Sequence, residues 1–255
     1  MLHPDEYIVS KVAMPNAYRM MENTGFRFKE FTIQHDRCAM KVGTDGVLLG
    51  AWSNVAQASR ILDIGTGTGL VALMVAQRSN ASIVALDIDK DAVEQAKVNV
   101  ENSPWKDRIV VMEQDFNTFA PKETFDLIVS NPPYFVDSLT CPEKQRTLAR
   151  HNNTLGYDEL LGGVAKLLSD DGRFCLIVPV DVSESIKAKA ALLGLFVQKQ
   201  LDVITAPGKL PKRILIEFAF HDTEQIEWLE LLIEEKRHQY SLEYIALTRD
   251  YYLKM

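Results

Sequence analysis

From Arg60 onward the chain alternates short runs that are apolar on both faces with stretches of helical periodicity, which restricts the architectures open to it. The strand-like runs are Arg60 to Ile64, Ser82 to Asp87, Arg108 to Glu113, Phe125 to Ser130 and Gly172 to Val178. Between most of them lie helical patterns. Val93, Ala96 and Val100 share one helix face, and Leu160, Leu161, Val164, Leu167 and Leu168 form a second apolar stripe. Strands buried on both faces and joined by helices predict an α/β fold with a doubly wound parallel sheet. Toward the end, Phe196 to Thr205 and Arg213 to Phe220 flank a Pro207, Gly208, Pro211 turn and predict an antiparallel pair. The Ile226, Leu229, Ile233 stripe predicts a late helix packed on the core.

Ahead of this region, the polar stretch Asn54 to Ser59 marks a candidate boundary. Phe28 to Gln34 and Cys38 to Val42 read as two short strands separated by His35, Asp36 and Arg37. The expected division is an N-terminal extension over 1–25, a hairpin with a connecting helix over 26–54, and the main α/β domain over 55–255. A chain of 255 residues is long enough for such a domain plus a small appendage. Hydrophobic residues make up 47% and charged residues 25%, ordinary globular values, and no apolar run approaches the roughly 20 residues of a membrane span. The first 25 residues lack the apolar core of a secretory signal, so the expected address is cytoplasmic, with no membrane partner. Cys38, Cys141 and Cys175 are widely spaced and lack histidine companions, suggesting reduced, mostly buried thiols and no metal site.

Leu62-Asp63-Ile64-Gly65-Thr66-Gly67-Thr68-Gly69-Leu70 follows the first strand of the alternating region and opens a helix. Its glycines allow a close backbone approach by a nucleotide. Compared with the G-x-G-x-x-G dinucleotide fingerprint, however, the third glycine is one place early, which weakens a nicotinamide reading. Asp63 puts a carboxylate beside the turn, unsuited to a phosphate and suited to an ammonium group such as that of methionine. Asp87 ends the next strand, where a carboxylate accepts hydrogen bonds from ribose hydroxyls, and Ile88 beside it can cover an adenine. Asp115 ends the third strand and could accept from an adenine amino group, with Phe116 as a stacking surface. Asp89 and Asp115 read equally well alone as helix caps or turn formers.

Phe125 to Ser130 runs into Asn131-Pro132-Pro133-Tyr134. Two prolines fix φ and remove two amide donors, so the ladder stops and carbonyls turn elsewhere. An exocyclic amino group conjugated to a ring is a poor nucleophile, and a catalyst should hold both its protons as the nitrogen pyramidalises. Asn131 Oδ1 and the Pro132 carbonyl offer two such acceptors, and Tyr134 offers an aromatic face for a planar substrate. Alone, Asn-Pro-Pro would read as a turn.

These residues closely resemble the class I amino-methyltransferases, in which an Asn-Pro-Pro-Tyr sequence ends the fourth strand beside the methyl donor. More narrowly, Asp36 to Trp52, Ala149-Arg150-His151, Pro211-Lys212-Arg213 and Leu247 to Met255 resemble the bacterial tRNA adenine-N6 methyltransferases that act beside the anticodon of a valine tRNA. The resemblance implies a Rossmann-like, seven-stranded, mainly parallel sheet with an antiparallel last strand. It implies S-adenosylmethionine as cofactor and tRNA as partner. Cofactor and catalytic positions map onto Gly65, Gly67, Asp87, Asp115 and Asn131 to Tyr134, and Thr44 and Asp45 match a motif near the methionine end of the donor. The first 20 or so residues are those the family usually lacks, with Met21 an alternative start.

A net charge of −7 sits awkwardly with an RNA substrate, so a local basic patch is required. Arg37 and Lys41 with Arg27 and Lys29, Arg146 and Arg150 with Lys144 and His151, and Lys212 and Arg213 with Lys209 are the three clusters that could form a phosphate track. Any one of them alone reads more simply as a solvated face. His151 equally suits a helix boundary and is not assigned as a base. Protein glutamine-N5 methylation remains an alternative, because a side-chain amide also presents two protons, as does a noncatalytic role in binding the donor or RNA. A monomer without an obligate protein partner is expected.

Overall fold

The computed structural model describes residues 25–37, 41–133 and 155–254. Four strands, β3 (Arg60–Ile64), β4 (Ser82–Asp87), β5 (Ile109–Glu113) and β6 (Phe125–Ser130), run parallel, with β4 and β5 on one side of β3 and β6 on the other. Beyond β6 lies β7 (Leu168–Pro179), also parallel. Next comes β9 (Arg213–Ala219), antiparallel to both β7 and β8 (Phe196–Ile204), and β10 (Glu227–Leu232) closes the edge parallel to β8. The five strand-like runs and the antiparallel pair anticipated above are all present.

Both faces of the sheet are covered, and side chains alternate between them. On β3, Ile61 joins a cluster with α1 (Thr44–Trp52), α2 (Leu70–Arg78) and α3 (Lys90–Glu101), whereas Leu62 and Ile64 join one with α4 (Tyr157–Leu167) and α5 (Val180–Leu192). Leu127 and Val129 likewise separate from Ile128, and Cys175 and Ile177 from Phe174, Leu176 and Val178. This two-sided burial is why each strand lacks polar alternation. Cys175 is fully buried, and burial, reinforced by Glu217, pushes its thiol well above the ordinary pKa.

Two elements differ from expectation. Among the described residues the sheet has eight strands, not seven, because the Leu229 stripe belongs to β10 and not to a helix. Trp228, Leu229 and Leu231 pair with Gln200, Leu201 and Val203, which buries Leu231 on one face and sets Trp228 under Lys187 of α5 on the other. A short apolar run fits either period, and pairing with the edge of β8 decides it. The N-terminal hairpin also turns earlier than expected. Its strands are β1 (Gly25–Arg27) and β2 (Thr32–Gln34), and Phe28 to Phe31 form the turn. Phe28 and Phe31 stack at 4.7 Å, both buried, and Tyr252 covers Phe28 from the C-terminal segment that follows α6 (Leu242–Thr248). Burying those rings outweighs extending the strand through them. Beyond β2, Cys38 to Met40 lie outside the described residues, while Lys41 and Val42 lead irregularly into α1. The hairpin and α1 share a buried cluster with α2 and α3.

Among the described residues no helix is long and apolar enough to cross a membrane. β11 (Glu234–Lys236) and β12 (Gln239–Tyr240) form a separate two-stranded ribbon.

Candidate active site

The strand order reverses direction at β3, with β4 on one side and β6 on the other, so a crevice opens outside their carboxyl ends. Ile64 of β3 stands opposite Ser130 of β6, which places the next residues, Gly65 and Asn131, side by side at that crevice. Ser130 is buried and its hydroxyl donates to the Ile64 carbonyl at 3.0 Å, tying the two strand ends together immediately before both motifs diverge.

The glycine turn is built as a cradle. Gly65 and Gly67 have φ of 71° and 55°, a region that side-chain-bearing residues rarely occupy, and a Cβ added at either would meet nothing within 4 Å. The amides of Gly65 and Thr66 donate to the Leu86 carbonyl at 2.9 and 2.8 Å. Gly67 N donates to Asp87 Oδ2 at 2.8 Å, while Asp89 N donates to Oδ1 at 3.0 Å. Asp87 is therefore aimed by two backbone amides at the rim of the cradle, with lone pairs remaining for hydroxyl donors. Beside it Ile88 is 42% exposed and supplies an apolar face.

Asp63 occupies a different place from the one expected. It is 1% exposed and points inward, where Oδ2 accepts from Thr66 Oγ1 at 2.6 Å and from Ala72 N at 3.2 Å. Gly69, at the start of α2, has no side chain to cap that helix, so Asp63 satisfies a first-turn amide from the preceding strand. Burial, with a smaller push from Asp87, lifts its pKa to about 7 against the opposing pull of those hydrogen bonds. It fixes the turn from beneath.

Phe116 also departs from expectation. Its ring is largely buried against α4, where a Cβ added to Gly163 would stand 2.3 Å from the ring, and what remains open of it lines a surface cavity with Phe119 and Gly163. Asp115 starts the short 3-10 turn Phe116–Thr118, and its Oδ1 accepts from Asn117 N at 2.9 Å, the cap reading realised. It remains beside the end of β5 at the same edge of the sheet.

Asn131 is half-buried, Pro132 buried and Pro133 exposed. Tyr134, Arg146 and Arg150, expected on the substrate side, lie outside the described residues. Thr44 and Asp45 open α1, and a Cβ added at the following Gly46 would be 3.0 Å from Leu70 Cδ2 and 3.9 Å from Asn131 Nδ2. These residues, distant in sequence, thus meet at one point. Arg213 Nε donates to Asp45 Oδ2 at 2.9 Å, which brings the start of β9 there too, with Lys212 exposed beside it and Lys41 exposed just ahead of α1. Arg37 is held on α3, its backbone amide donating to Gln95 Oε1 at 3.1 Å and its guanidinium 3.6 Å from Glu94.

Sequence reading missed Asn99. It is 2% exposed; its side-chain amide donates to the carbonyls of Thr68, in the glycine turn, and Gln34, in β2, and its oxygen accepts from Gln34 N, all within 2.8 to 2.9 Å. One side chain staples the hairpin to the cradle. The available signal was a polar residue three places after Ala96, beside the apolar face of α3.

The methyltransferase small domain family matches residues 41–183, more than half of the chain. A protein of Bacteroides thetaiotaomicron named tRNA1(Val) (adenine(37)-N6)-methyltransferase is 59% identical over 237 residues, covering 92% of this chain and all of its own. The chain belongs to the tRNA1(Val) (adenine(37)-N6)-methyltransferase family. A second member, from Phocaeicola vulgatus, is 55% identical over 242 residues, 95% of this chain and all of its own. In fold the chain resembles a solved structure described as a predicted O-methyltransferase from Agrobacterium tumefaciens, with a TM-score of 0.65 at 19% identity, covering 81% of this chain and 96% of that one. It is a methyltransferase whose methyl donor is S-adenosylmethionine, and the open cradle over Gly65 and Gly67 with the oriented Asp87 fits that donor's nucleoside.

Proposed function

We propose that this enzyme methylates the exocyclic N6 of adenine 37 in tRNA1(Val), the activity carried in the names of its relatives. The observation that carries the reading is the adjacency of the glycine cradle and Asn131 at the β3/β6 crevice, since methyl transfer requires donor and amino group side by side. When bound, S-adenosylmethionine supplies an electrophilic methyl on a sulfonium, so no strong base is needed. Asp87 would hold the ribose, Ile88 would cover the adenine and Asp115 would accept from the adenine amino group. Thr44 and Asp45 would border the methionine end. Asp63 acts indirectly by shaping Gly65 to Gly67.

On the substrate side, Asn131 Oδ1 and the Pro132 carbonyl accept hydrogen bonds from the two N–H groups of the target NH₂. The lone pair of the amino nitrogen is thereby drawn out of conjugation with the ring as that nitrogen becomes tetrahedral, and the positive charge that develops is met by two oxygens. As the N–CH₃ bond forms the S–CH₃ bond breaks, the donor leaves as the neutral thioether, and the methylated nitrogen releases one proton to solvent. Two consecutive prolines after the last residue of β6 support this assignment, because neither has an amide to return to a ladder. Tyr134 is assigned as the stacking face for the adenine, which must first be splayed from its loop. Lys41 and Lys212, with Arg37, Arg146 and Arg150, are assigned to phosphates, and the enzyme is assigned as a monomer in the cytoplasm.

The test is incubation of the protein with labelled S-adenosylmethionine and total tRNA from cells lacking the enzyme, followed by nucleoside mass spectrometry. N6-methyladenosine should appear with wild type, and at a rate lower by about 100-fold or more with Asn131→Ala, the usual cost of removing one group from a transition-state site. A different methylated nucleoside, label in protein glutamine, or undiminished turnover by Asn131→Ala would overturn the assignment.

A further inference from the structure

Lys212 and Arg213 are neighbours in a basic stretch, and on charge alone both suit RNA phosphates. Their geometry separates them. Consecutive residues entering a strand present their side chains to opposite sides, and here Lys212 is exposed while Arg213 is drawn inward onto Asp45, the two side chains 31% and 26% exposed.

We infer that Arg213 is a positioning residue of the methyl-transfer site, acting through Asp45 on the first turn of α1 and hence on Asn131, and not a contact to tRNA. Arg213 begins β9 between two strands, in register with Pro179 of β7 and Val203 of β8, so its backbone is fixed by the sheet. From that base its Nε reaches Asp45 at 2.9 Å, and its Nη1 donates to the Lys212 carbonyl at 3.1 Å. The N-cap of α1 is Gly43, which makes no side-chain hydrogen bond to the helix, and the Arg213–Asp45 pair ties this first turn to the sheet. The residue after Asp45 is Gly46, whose Cα faces both Leu70, the first residue after the glycine turn, and the Asn131 side-chain amide. Displacing this turn therefore moves one wall of the Asn131 site and the residue that follows the cradle. Positioning the reacting groups is most of what this chemistry asks of the protein, so a small displacement is costly.

The inference rests on the proposed methyl transfer to tRNA, but its test separates the two. Arg213→Gln, Asp45→Asn, the double variant, Arg213→Lys and Lys212→Ala are compared with wild type. Donor affinity is measured by calorimetry with S-adenosylmethionine and no RNA, alongside kcat and the salt dependence of KM for tRNA. Arg213→Gln should lower kcat by about 10-fold to 100-fold, as misplaced reacting groups do. It should also weaken donor binding and leave the salt slope at the wild-type value. Asp45→Asn should do the same, the double variant should add little, and Arg213→Lys should recover part of the loss. Lys212→Ala should instead flatten the salt slope by about 0.7 to 0.9, one phosphate contact, at unchanged donor affinity. If Arg213→Gln flattens the slope like Lys212→Ala while donor affinity and kcat hold, or if the two substitutions of the pair are additive, the inference fails. Should Arg213→Gln not fold, Arg213→Lys and Asp45→Asn decide on the same readouts. Failure of wild type to methylate tRNA would sink the proposed function, and the RNA-free calorimetry would still decide the role of Arg213.

Discussion

Asp63 is a carboxyl group whose proton the fold keeps. Its pKa, lifted from 3.8 to about 7 chiefly by burial, makes ionisation harder in the folded than in the unfolded chain. The stability it contributes is therefore full below about pH 4 and is lost as pH rises through about 7, the unfolded chain releasing its proton first. Asp63→Asn keeps an oxygen for Thr66 Oγ1 and Ala72 N but removes the titration. Urea denaturation from pH 4 to 9 should show wild type losing ground to Asp63→Asn across pH 4 to 7, with a level difference above about pH 8. A difference that stays level across pH 4 to 7 would refute this. The residue type of Asp63 is legible in the sequence and its direction is not. It shares its face of β3 with Ile61, so the carboxylate turns under α2, a consequence of tertiary packing that suitability for an ammonium group does not reveal. Phe116 is a similar case, its ring claimed by Gly163 on a helix 47 positions away. Asp87, by contrast, is oriented by the amides of Gly67 and Asp89, so its direction follows from residues within its own local motifs.

Among elements, α1 meets α2 where glycines spaced four apart, Gly46 and Gly50, face Leu70 and Met74, also spaced four apart. A Cβ at Gly50 would stand 2.7 Å from Met74 Cβ and 2.8 Å from its sulfur, and the former cannot swing aside like a side-chain tip. Gly50→Ala should therefore cost about 1 to 3 kcal/mol in unfolding free energy despite the better helix propensity of alanine. Gly162→Ala, on α4 with nothing within 4 Å of the added carbon, should stabilise by up to about 1 kcal/mol. Chemical denaturation of both checks the pair, and Gly50→Ala as stable as wild type would show that α1 can shift without penalty. Element order was readable because the buried strands are largely apolar runs and α3 and α4 each repeat an apolar stripe. Where two outcomes used the same residues, as at β10 and in the Phe28 to Phe31 turn, the choice was made by pairing partners far along the chain, Gln200 to Val203 in one case and Tyr252 in the other.

Taken whole, the molecule is acidic, with a net charge of −7, and must present a polyanion with a favourable edge. Lys41, four residues ahead of Asp45, and Lys212, next to Arg213, are both exposed. Replacing both by alanine should raise KM for tRNA and flatten its salt dependence by roughly 1.4 to 1.8, two phosphate contacts. An unaltered slope would place the RNA on another face. This edge owes its composition to one reversed strand. Because β9 runs against its neighbours, it delivers its beginning to the crevice where β3 to β6 deliver their ends, and the loop from β8 arrives with it. That loop can therefore lengthen, shorten or change its charges while the cradle beneath stays fixed, so substrate preference in such a scaffold has freedom to drift independently of its chemistry.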